Sequence, residues 1–179
     1  AIIGRTYMGV GRNLAYRKEL FFKNKGFANH YHLMSGDDDL FINEVSTATN
    51  TAVELNPEAF TSSEPKETFK TWFRQKKRHV TTSKMYRSKD KMLLGGLAGS
   101  HILFYLCFFA LLILRLDWQI TLSVFGLRML LQYIIMGQGM STLKEKDLIV
   151  YIPLLDFFVV VFYPILAISN AFSPIKRWK

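Results

Sequence analysis

Three long apolar runs occupy the second half of the chain, at residues 93–114, 118–138 and 149–169. Each has about the 20 residues that a helix needs to cross a hydrocarbon core of about 30 Å. The first run carries no charge and shows no polar face at helical spacing, which argues against a core helix of a soluble domain. The pattern therefore predicts an integral membrane protein.

The first 92 residues are more polar and have shorter periodicities. A helix is predicted at about residues 64–80, with Ser63 and Pro65 marking its start. One face of this helix is aromatic at i, i+3, i+4 spacing: Phe69, Trp72 and Phe73. Basic side chains lie mostly elsewhere, so the pattern favours a helix at the membrane–water interface over one packed on a soluble core.

The rest of this segment predicts short elements. Residues 7–16 are typical of a Gly-containing strand or loop, residues 17–23 of a short helical turn, and residues 24–26 of a turn. A helical pattern follows the acidic residues at 37–39. Residues 51–55 predict a strand, which Asn56-Pro57 ends.

Basic charge is concentrated beside the first apolar run. Residues 1–92 hold 16 of the 23 Lys and Arg, and the sequence pI is about 9.7. The positive-inside rule then places residues 1–92 in the cytoplasm, beside the cytoplasmic (inner) membrane. Anionic lipid headgroups explain this charge, so membrane lipids are expected partners and nucleic acid is not. The single cysteine, Cys107, excludes an internal disulfide.

The third run leaves the topology open. Residues 115–117 predict a tight turn on the far side of the membrane, and residues 139–148 a loop back in the cytoplasm. A third crossing would place Lys176, Arg177 and Lys179 outside, against the charge rule. Three crossings are favoured. A re-entrant or broken helix is the alternative, because the run is interrupted at three positions: Pro153, Asp156 and Pro164.

Two charged residues, Arg128 and Asp156, fall near the middle of the second and third runs. Charge at that depth usually faces a bundle interior or a polar cavity. We therefore expect Arg128 and Asp156 to pair, or Arg128 to meet a phosphate-bearing ligand. A purely structural ion pair between helices is the simpler interpretation.

Three consecutive aspartates, Asp37–Asp39, stand at the start of a predicted helix. The helix dipole explains one or two of them. Three adjacent carboxylates repel one another, which points to proton transfer or to a metal ion.

Short motifs then resemble those of membrane-bound family-2 glycosyltransferases, the group that includes hyaluronan, cellulose and chitin synthases and ceramide glucosyltransferase. Gly36-Asp37-Asp38 is similar to the GDD/TED motif, and residues 75–79 (QKKRH) are similar to the Q-x-x-R-W motif. Residues 8–22 resemble the segment that lines the acceptor side of the site. Transmembrane helices follow directly, as in that family.

The resemblance implies a fold and a reaction. Residues 1–92 would be the C-terminal part of a GT-A type α/β domain with its interfacial helix, and residues 93–179 a transmembrane helical bundle. The activity would be inverting transfer from a nucleotide sugar to a lipid or saccharide acceptor at the cytoplasmic membrane face. Asp38 would be the general base, or Asp39 if the motif aligns one residue later. The implied substrate-binding residues are Asp37, Gln75, Arg78, His79, Arg12 and Asn13.

The resemblance also implies an acceptor type, a metal ion and an upstream nucleotide-binding half. His79 stands where the family has Trp, which favours a lipid or short acceptor over a long polysaccharide. A divalent metal, Mg or Mn, is expected for the full enzyme, with ligands mainly upstream of this chain and no metal site within it. The nucleotide-binding half is also expected upstream, so the 179 residues alone should not catalyse transfer.

Two rival functions remain open from the sequence. The first is a non-enzymatic membrane anchor whose basic segment binds anionic lipid. The second is a small transporter subunit that uses Arg128 and Asp156.

Overall fold

A computed structural model of the chain describes residues 6–33 and 35–173. The described residues form six α-helices joined by turns and short 3₁₀ segments: α1 Lys18–Lys23, α2 Asp39–Val45, α3 Phe69–Thr82, α4 Ser88–Ile113, α5 Trp118–Thr142 and α6 Ile152–Phe172. The chain divides into two compact units. The first comprises Ala1–Leu93 and Ile165–Lys179, and the second comprises Leu94–Pro164.

No β-strand occurs within residues 6–33 and 35–173. The strand predicted at residues 51–55 is therefore wrong, and the α/β part of the predicted fold class is not seen. Residues 51–55 are irregular because no neighbouring segment offers them a hydrogen-bonding ladder. Residues 7–16 are loop with a 3₁₀ turn at Gly11–Asn13, as the loop alternative for that segment predicted.

Helix α2 forms the core of the first unit. Leu40 and Phe41 are 3% and 0% exposed. The Phe41 ring packs against three aromatic rings from the preceding segment, Tyr16, Phe21 and Phe27, at centroid distances of 4.8, 5.8 and 5.8 Å. The predicted helical turn at residues 17–23 is confirmed as α1. This aromatic cluster fixes the orientation of α2, whose first residues carry the acidic motif.

Helix α3 begins later than the sequence predicts. Its N-cap is Thr68, whose hydroxyl accepts a hydrogen bond from Thr71 N at 3.2 Å. The Ser63 hydroxyl is engaged elsewhere, as a hydrogen-bond acceptor for the Arg12 guanidinium, so Ser63 does not cap the helix. Residues 61–68 are consequently loop, and the helix extends two residues past the predicted end, to Thr82.

Among the described residues, three helices are long and apolar enough to cross a membrane, at Ser88–Ile113, Trp118–Thr142 and Lys146–Phe172. The last of these is α6 preceded by a 3₁₀ segment, Lys146–Tyr151. Their large apolar side chains are mostly exposed, as expected for surfaces that face lipid rather than a protein core. The prediction of a membrane protein is thus supported. The C-terminal basic residues at 176, 177 and 179 lie outside the described residues.

Candidate functional site

The acidic motif sits at the N-terminus of α2, where a glycine sets up the turn. Gly36 has φ +112°, a conformation that L side chains rarely adopt. A Cβ at this position would lie 2.5 Å from Leu40 Cδ1. Asp38 is the N-cap residue of α2, and its Oδ1 accepts a hydrogen bond from Asp39 N at 2.8 Å. The turn thereby places Asp38 at the positive end of the helix.

Asp38 also joins the acidic motif to the N-terminal segment. Its Oδ2 accepts a hydrogen bond from Gly11 N at 2.7 Å. A Cβ on Gly11 would stand 3.2 Å from that same oxygen, so a larger residue would crowd the contact. The Asp38 side chain is nevertheless only half-buried. Its carboxylate therefore keeps lone pairs that could accept a further hydrogen bond.

Asp39 has a different environment, because its carboxylate is fully engaged inside the protein. The residue is 5% exposed. Its Oδ2 accepts hydrogen bonds from Thr82 Oγ1 at 2.6 Å and from Tyr86 Oη at 2.7 Å. Its Oδ1 accepts one from Leu40 N at 2.9 Å. Burial, together with the hydrogen bond to this carboxylate, raises the pKa of the Tyr86 phenol well above its ordinary value, so Tyr86 remains a donor.

The end of α3 lies close to these carboxylates. Although His79 is exposed to solvent on one side, its partial burial lowers the pKa of the imidazole, and the adjacent Arg78 adds to that effect. The charges of Asp38 and Asp39 act in the opposite direction and raise the same pKa. The Thr82 hydroxyl, three residues after His79, donates to Asp39, so the two sequence motifs are near neighbours in the fold.

The other residues predicted to bind substrate are placed as follows. Gln75 and Arg78 on α3 are half-buried, and Asp37 is exposed in the turn before α2. Arg12 donates to the Ser63 hydroxyl, and Asn13 Nδ2 donates to the carbonyl of Ala59 at 3.0 Å. In this structure Arg12 and Asn13 therefore secure the 3₁₀ turn to the loop before α3.

Three residues at this site were missed by the sequence analysis: Gly11 as a donor to Asp38, and Thr82 and Tyr86 as donors to Asp39. Thr82 and Tyr86 follow the QKKRH motif closely, yet a hydroxyl at or just beyond the end of a helix is too common to signal a buried contact. The tertiary fold alone reveals their pairing with an aspartate more than 40 residues earlier.

Comparison of the chain with protein-family models, with curated proteins and with solved structures found no match. Within the described part of the chain, no group of three or more His, Cys, Asp or Glu side chains could hold a metal ion. An open cavity of about 340 Å³, lined in part by Ser46, Arg87 and Lys89, lies at the opposite end of α2 from the acidic motif.

A second polar cluster lies within the second unit, around Asp156. Both Asp156 oxygens accept hydrogen bonds from the Arg128 guanidinium, at 2.7 and 3.1 Å, so the predicted ion pair is confirmed. Tyr105 Oη donates to Asp156 at 2.6 Å, Gln132 also donates to it, and His101 Nε2 lies 2.8 Å away. The Asp156 side chain is 0% exposed. Because the Asp156 carboxylate accepts hydrogen bonds from several side chains, the cluster fits a structural ion pair between helices better than a ligand-binding site.

Proposed function

We propose that this chain is the C-terminal portion of an inverting glycosyltransferase that moves a sugar from a nucleotide-sugar donor to a lipid or saccharide acceptor. One observation carries the proposal. The three segments whose sequences resemble the family meet at the start of α2. Gly11 N donates to the Asp38 carboxylate, and Thr82, three residues after His79, donates to the adjacent Asp39. The three segments are far apart in the sequence. A segment that only anchors the chain to the membrane would not need to bring them into contact.

Asp38 is the residue best suited to act as general base. It would accept the proton of the acceptor hydroxyl as that oxygen attacks the anomeric carbon and the nucleoside diphosphate leaves from the opposite side. Asp38 is half-buried and retains accepting capacity, whereas the neighbouring Asp39 is saturated by Thr82, Tyr86 and the backbone. This difference supports the alignment that puts the base at Asp38.

Helix α3 would supply the groups that recognise the sugar and the leaving group. An arginine such as Arg78 matches phosphate oxygens with its fixed donors and stabilises the charge that develops as the diphosphate departs. Because its pKa is lowered, His79 is expected to be neutral near pH 7, which suits stacking on a sugar ring. Gln75, one turn earlier on α3, would hydrogen-bond to a sugar hydroxyl.

The first unit would be the C-terminal part of a GT-A type domain at the cytoplasmic face of the inner membrane. The sheet, the nucleotide-binding residues and the Mg or Mn ligands would come from an upstream part. That arrangement is consistent with a helical segment that places one catalytic carboxylate beside the membrane.

The proposal is tested by transfer assays on membranes that contain the chain with its upstream coding sequence restored. A panel of labelled nucleotide sugars would be compared for wild type, Asp38→Asn, Asp37→Asn and Arg78→Ala. We expect Asp38→Asn to lose about 100-fold or more in turnover, as removal of a general base usually does. Arg78→Ala should also be strongly impaired, and the exposed Asp37→Asn should serve as the matched control with a smaller loss.

Turnover of no donor by wild type, or wild-type rates in both Asp38→Asn and Arg78→Ala, would contradict the proposal. The basic segment would then be better explained as a membrane anchor that binds anionic lipid.

A further inference from the structure

The buried contact among Asp39, Thr82 and Tyr86 joins the two motifs of the proposed site. Asp39 is the first residue of α2, Thr82 is the last residue of α3, and Tyr86 lies between α3 and α4. All three are nearly inaccessible, at 5%, 3% and 7% exposure. Two hydroxyl donors on one carboxylate oxygen, at 2.6 and 2.7 Å, make a rigid link in a site with little solvent.

We propose that Thr82 and Tyr86 are positioning residues that hold the catalytic carboxylate of Asp38 against α3, acting through Asp39. The inference rests on the proposed function. Asp38 and Asp39 are adjacent, and Asp38 Oδ1 accepts from Asp39 N, so any displacement of Asp39 moves Asp38 as well. Small misplacements of a catalytic group are costly to rate, and besides Asp39 N the structure gives the Asp38 side chain one other donor, Gly11 N.

The test uses three variants of the full-length enzyme in membranes: Tyr86→Phe, Thr82→Val and Thr82→Ser. Tyr86→Phe and Thr82→Val each remove one donor to Asp39 with little change in shape, whereas Thr82→Ser keeps the hydroxyl. We expect the first two to lower kcat by about tenfold or more while the KM values for donor and acceptor stay near wild type. Thr82→Ser should retain most of the wild-type kcat.

The possible outcomes separate this inference from the proposed function. If wild type transfers sugar and Asp38→Asn does not, but Tyr86→Phe and Thr82→Val keep the wild-type kcat, only the positioning role is overturned. If both donor-removing variants fail to accumulate as folded protein, or if kcat and KM change together, the contact is merely structural and the inference fails. A wild type that transfers no sugar ends both proposals.

An independent observation bears on the membrane topology. Lys77 in α3 is 8% exposed, and its ammonium donates to Ser169 Oγ at 2.9 Å. Asn170 Nδ2 donates back to the Lys77 carbonyl at 3.0 Å. Ser169 and Asn170 are near the C-terminal end of α6, so this end belongs to the same compact unit as α3.

A topology in which α4, α5 and α6 all cross the membrane does not agree with the contact between Lys77 and the end of α6. Helix α4 begins at Ser88, six residues after α3 ends, so a crossing by α4 would start from the membrane face beside which α3 lies. If α4 and α5 both cross, the chain is back at that face at the end of α5. A third crossing would then carry Ser169 to the far side, away from Lys77.

The second unit shows how the chain returns. The 3₁₀ segment Lys146–Tyr151 packs against α5. Asp156, in the second turn of α6, bonds to Arg128, which lies 14 residues, or about 21 Å of helix, before the end of α5 at Thr142. The chain after α5 therefore runs back alongside that helix to about its middle before α6 continues. We infer that residues 146–172 form a re-entrant segment, whose two ends lie on the same face of the membrane as α3.

Site-directed labelling of the full-length protein decides this. Cys107→Ala removes the native thiol, and single cysteines are then introduced by Met85→Cys, Leu116→Cys, Glu145→Cys or Ser173→Cys. A membrane-impermeant maleimide is applied to sealed vesicles of both orientations. We expect Ser173→Cys, Glu145→Cys and Met85→Cys to label in one orientation and Leu116→Cys in the other.

Labelling of Ser173→Cys together with Leu116→Cys would overturn the re-entrant topology in favour of three crossings. Labelling of all four from one orientation would also overturn it, because α4 and α5 would then not cross.

Discussion

At the scale of single residues, two adjacent aspartates have contrasting surroundings. Asp38 receives two backbone N–H donors and stays half-buried, while Asp39 is buried and receives two side-chain hydroxyls as well as a backbone donor. A helix places successive side chains about 100° apart, so Asp39 faces Thr82 of α3 while Asp38 faces Gly11. The acidic residues therefore do not act as one group: Asp39 has a structural role, and Asp38 is the proposed general base.

Gly36 makes this arrangement possible, and its replacement should destabilise the protein. In Gly36→Ala a Cβ would stand 2.5 Å from Leu40 Cδ1 at a φ of +112°, so we expect a loss of about 1–3 kcal/mol in unfolding free energy. Thermal unfolding in detergent would measure it. Gly95→Ala is the matched control, because a Cβ there meets nothing within 4 Å and should be neutral or slightly stabilising. Equal unfolding temperatures for the two variants would contradict the strained turn.

His79 should make stability sensitive to mild acid. Its pKa is lowered in the folded state from an ordinary value of 6.5, so the folded protein binds fewer protons than the unfolded chain as the pH falls. Stability is therefore retained above pH 6.5 and lost below it. We expect His79→Gln to show a smaller fall in unfolding temperature than wild type on acidification. The exposed His32→Gln should behave like wild type, and a wild-type slope in His79→Gln would refute the assignment.

At the scale of elements, the local sequence pattern predicts which segments are helical, whereas tertiary contacts decide where some of them begin and whether a strand forms. The hydrophobic runs and the helix after the acidic triplet were predictable, because composition and periodicity are local properties. The start of α3 was not, because Ser63 and Thr68 are equally plausible caps until Arg12 is seen to engage the Ser63 hydroxyl. Residues 51–55 show the same limit, since a strand-like composition forms no strand without a neighbour to pair with.

The Arg128–Asp156 pair was predicted from depth alone, and it should dominate the stability of the helix contact between α5 and α6. Asp156→Leu would leave the half-buried Arg128 guanidinium without its carboxylate and is expected to cost about 3 kcal/mol, measured as the unfolding midpoint in a denaturing detergent. The double variant Arg128→Met/Asp156→Leu removes both charges and should lose much less than the sum of the two single changes. Additive losses would show that the two residues act independently, and a preserved transfer activity in the double variant would exclude a ligand role for Arg128.

At the scale of the whole molecule, the compact units do not coincide with the division between polar and apolar sequence. The first unit contains residues from both ends of the described chain, because Ser169 and Asn170 pack on Lys77. Lys77 is only 8% exposed, and burying a charged ammonium is costly unless it keeps a hydrogen-bond partner. The Ser169 hydroxyl that provides this partner must therefore be held in place. The proposed site on α2 and α3 therefore depends on a hydrophobic helix that follows it by about 90 residues.

This dependence predicts that the end of α6 protects α3. A chain that stops after Pro164 lacks Ser169 and Asn170 and leaves the Lys77 ammonium without its hydroxyl partner, so α3 should open more often. Because α3 is rich in lysine and arginine, limited trypsin digestion of membranes should cleave within residues 69–82 several-fold faster in this truncation. A chain that stops after Phe172 keeps both contacts and is the matched control, expected to digest at the wild-type rate. Equal cleavage of the two truncations would mean that α3 is stable without the end of α6, and the first unit would then need no contribution from the C-terminal part of the chain.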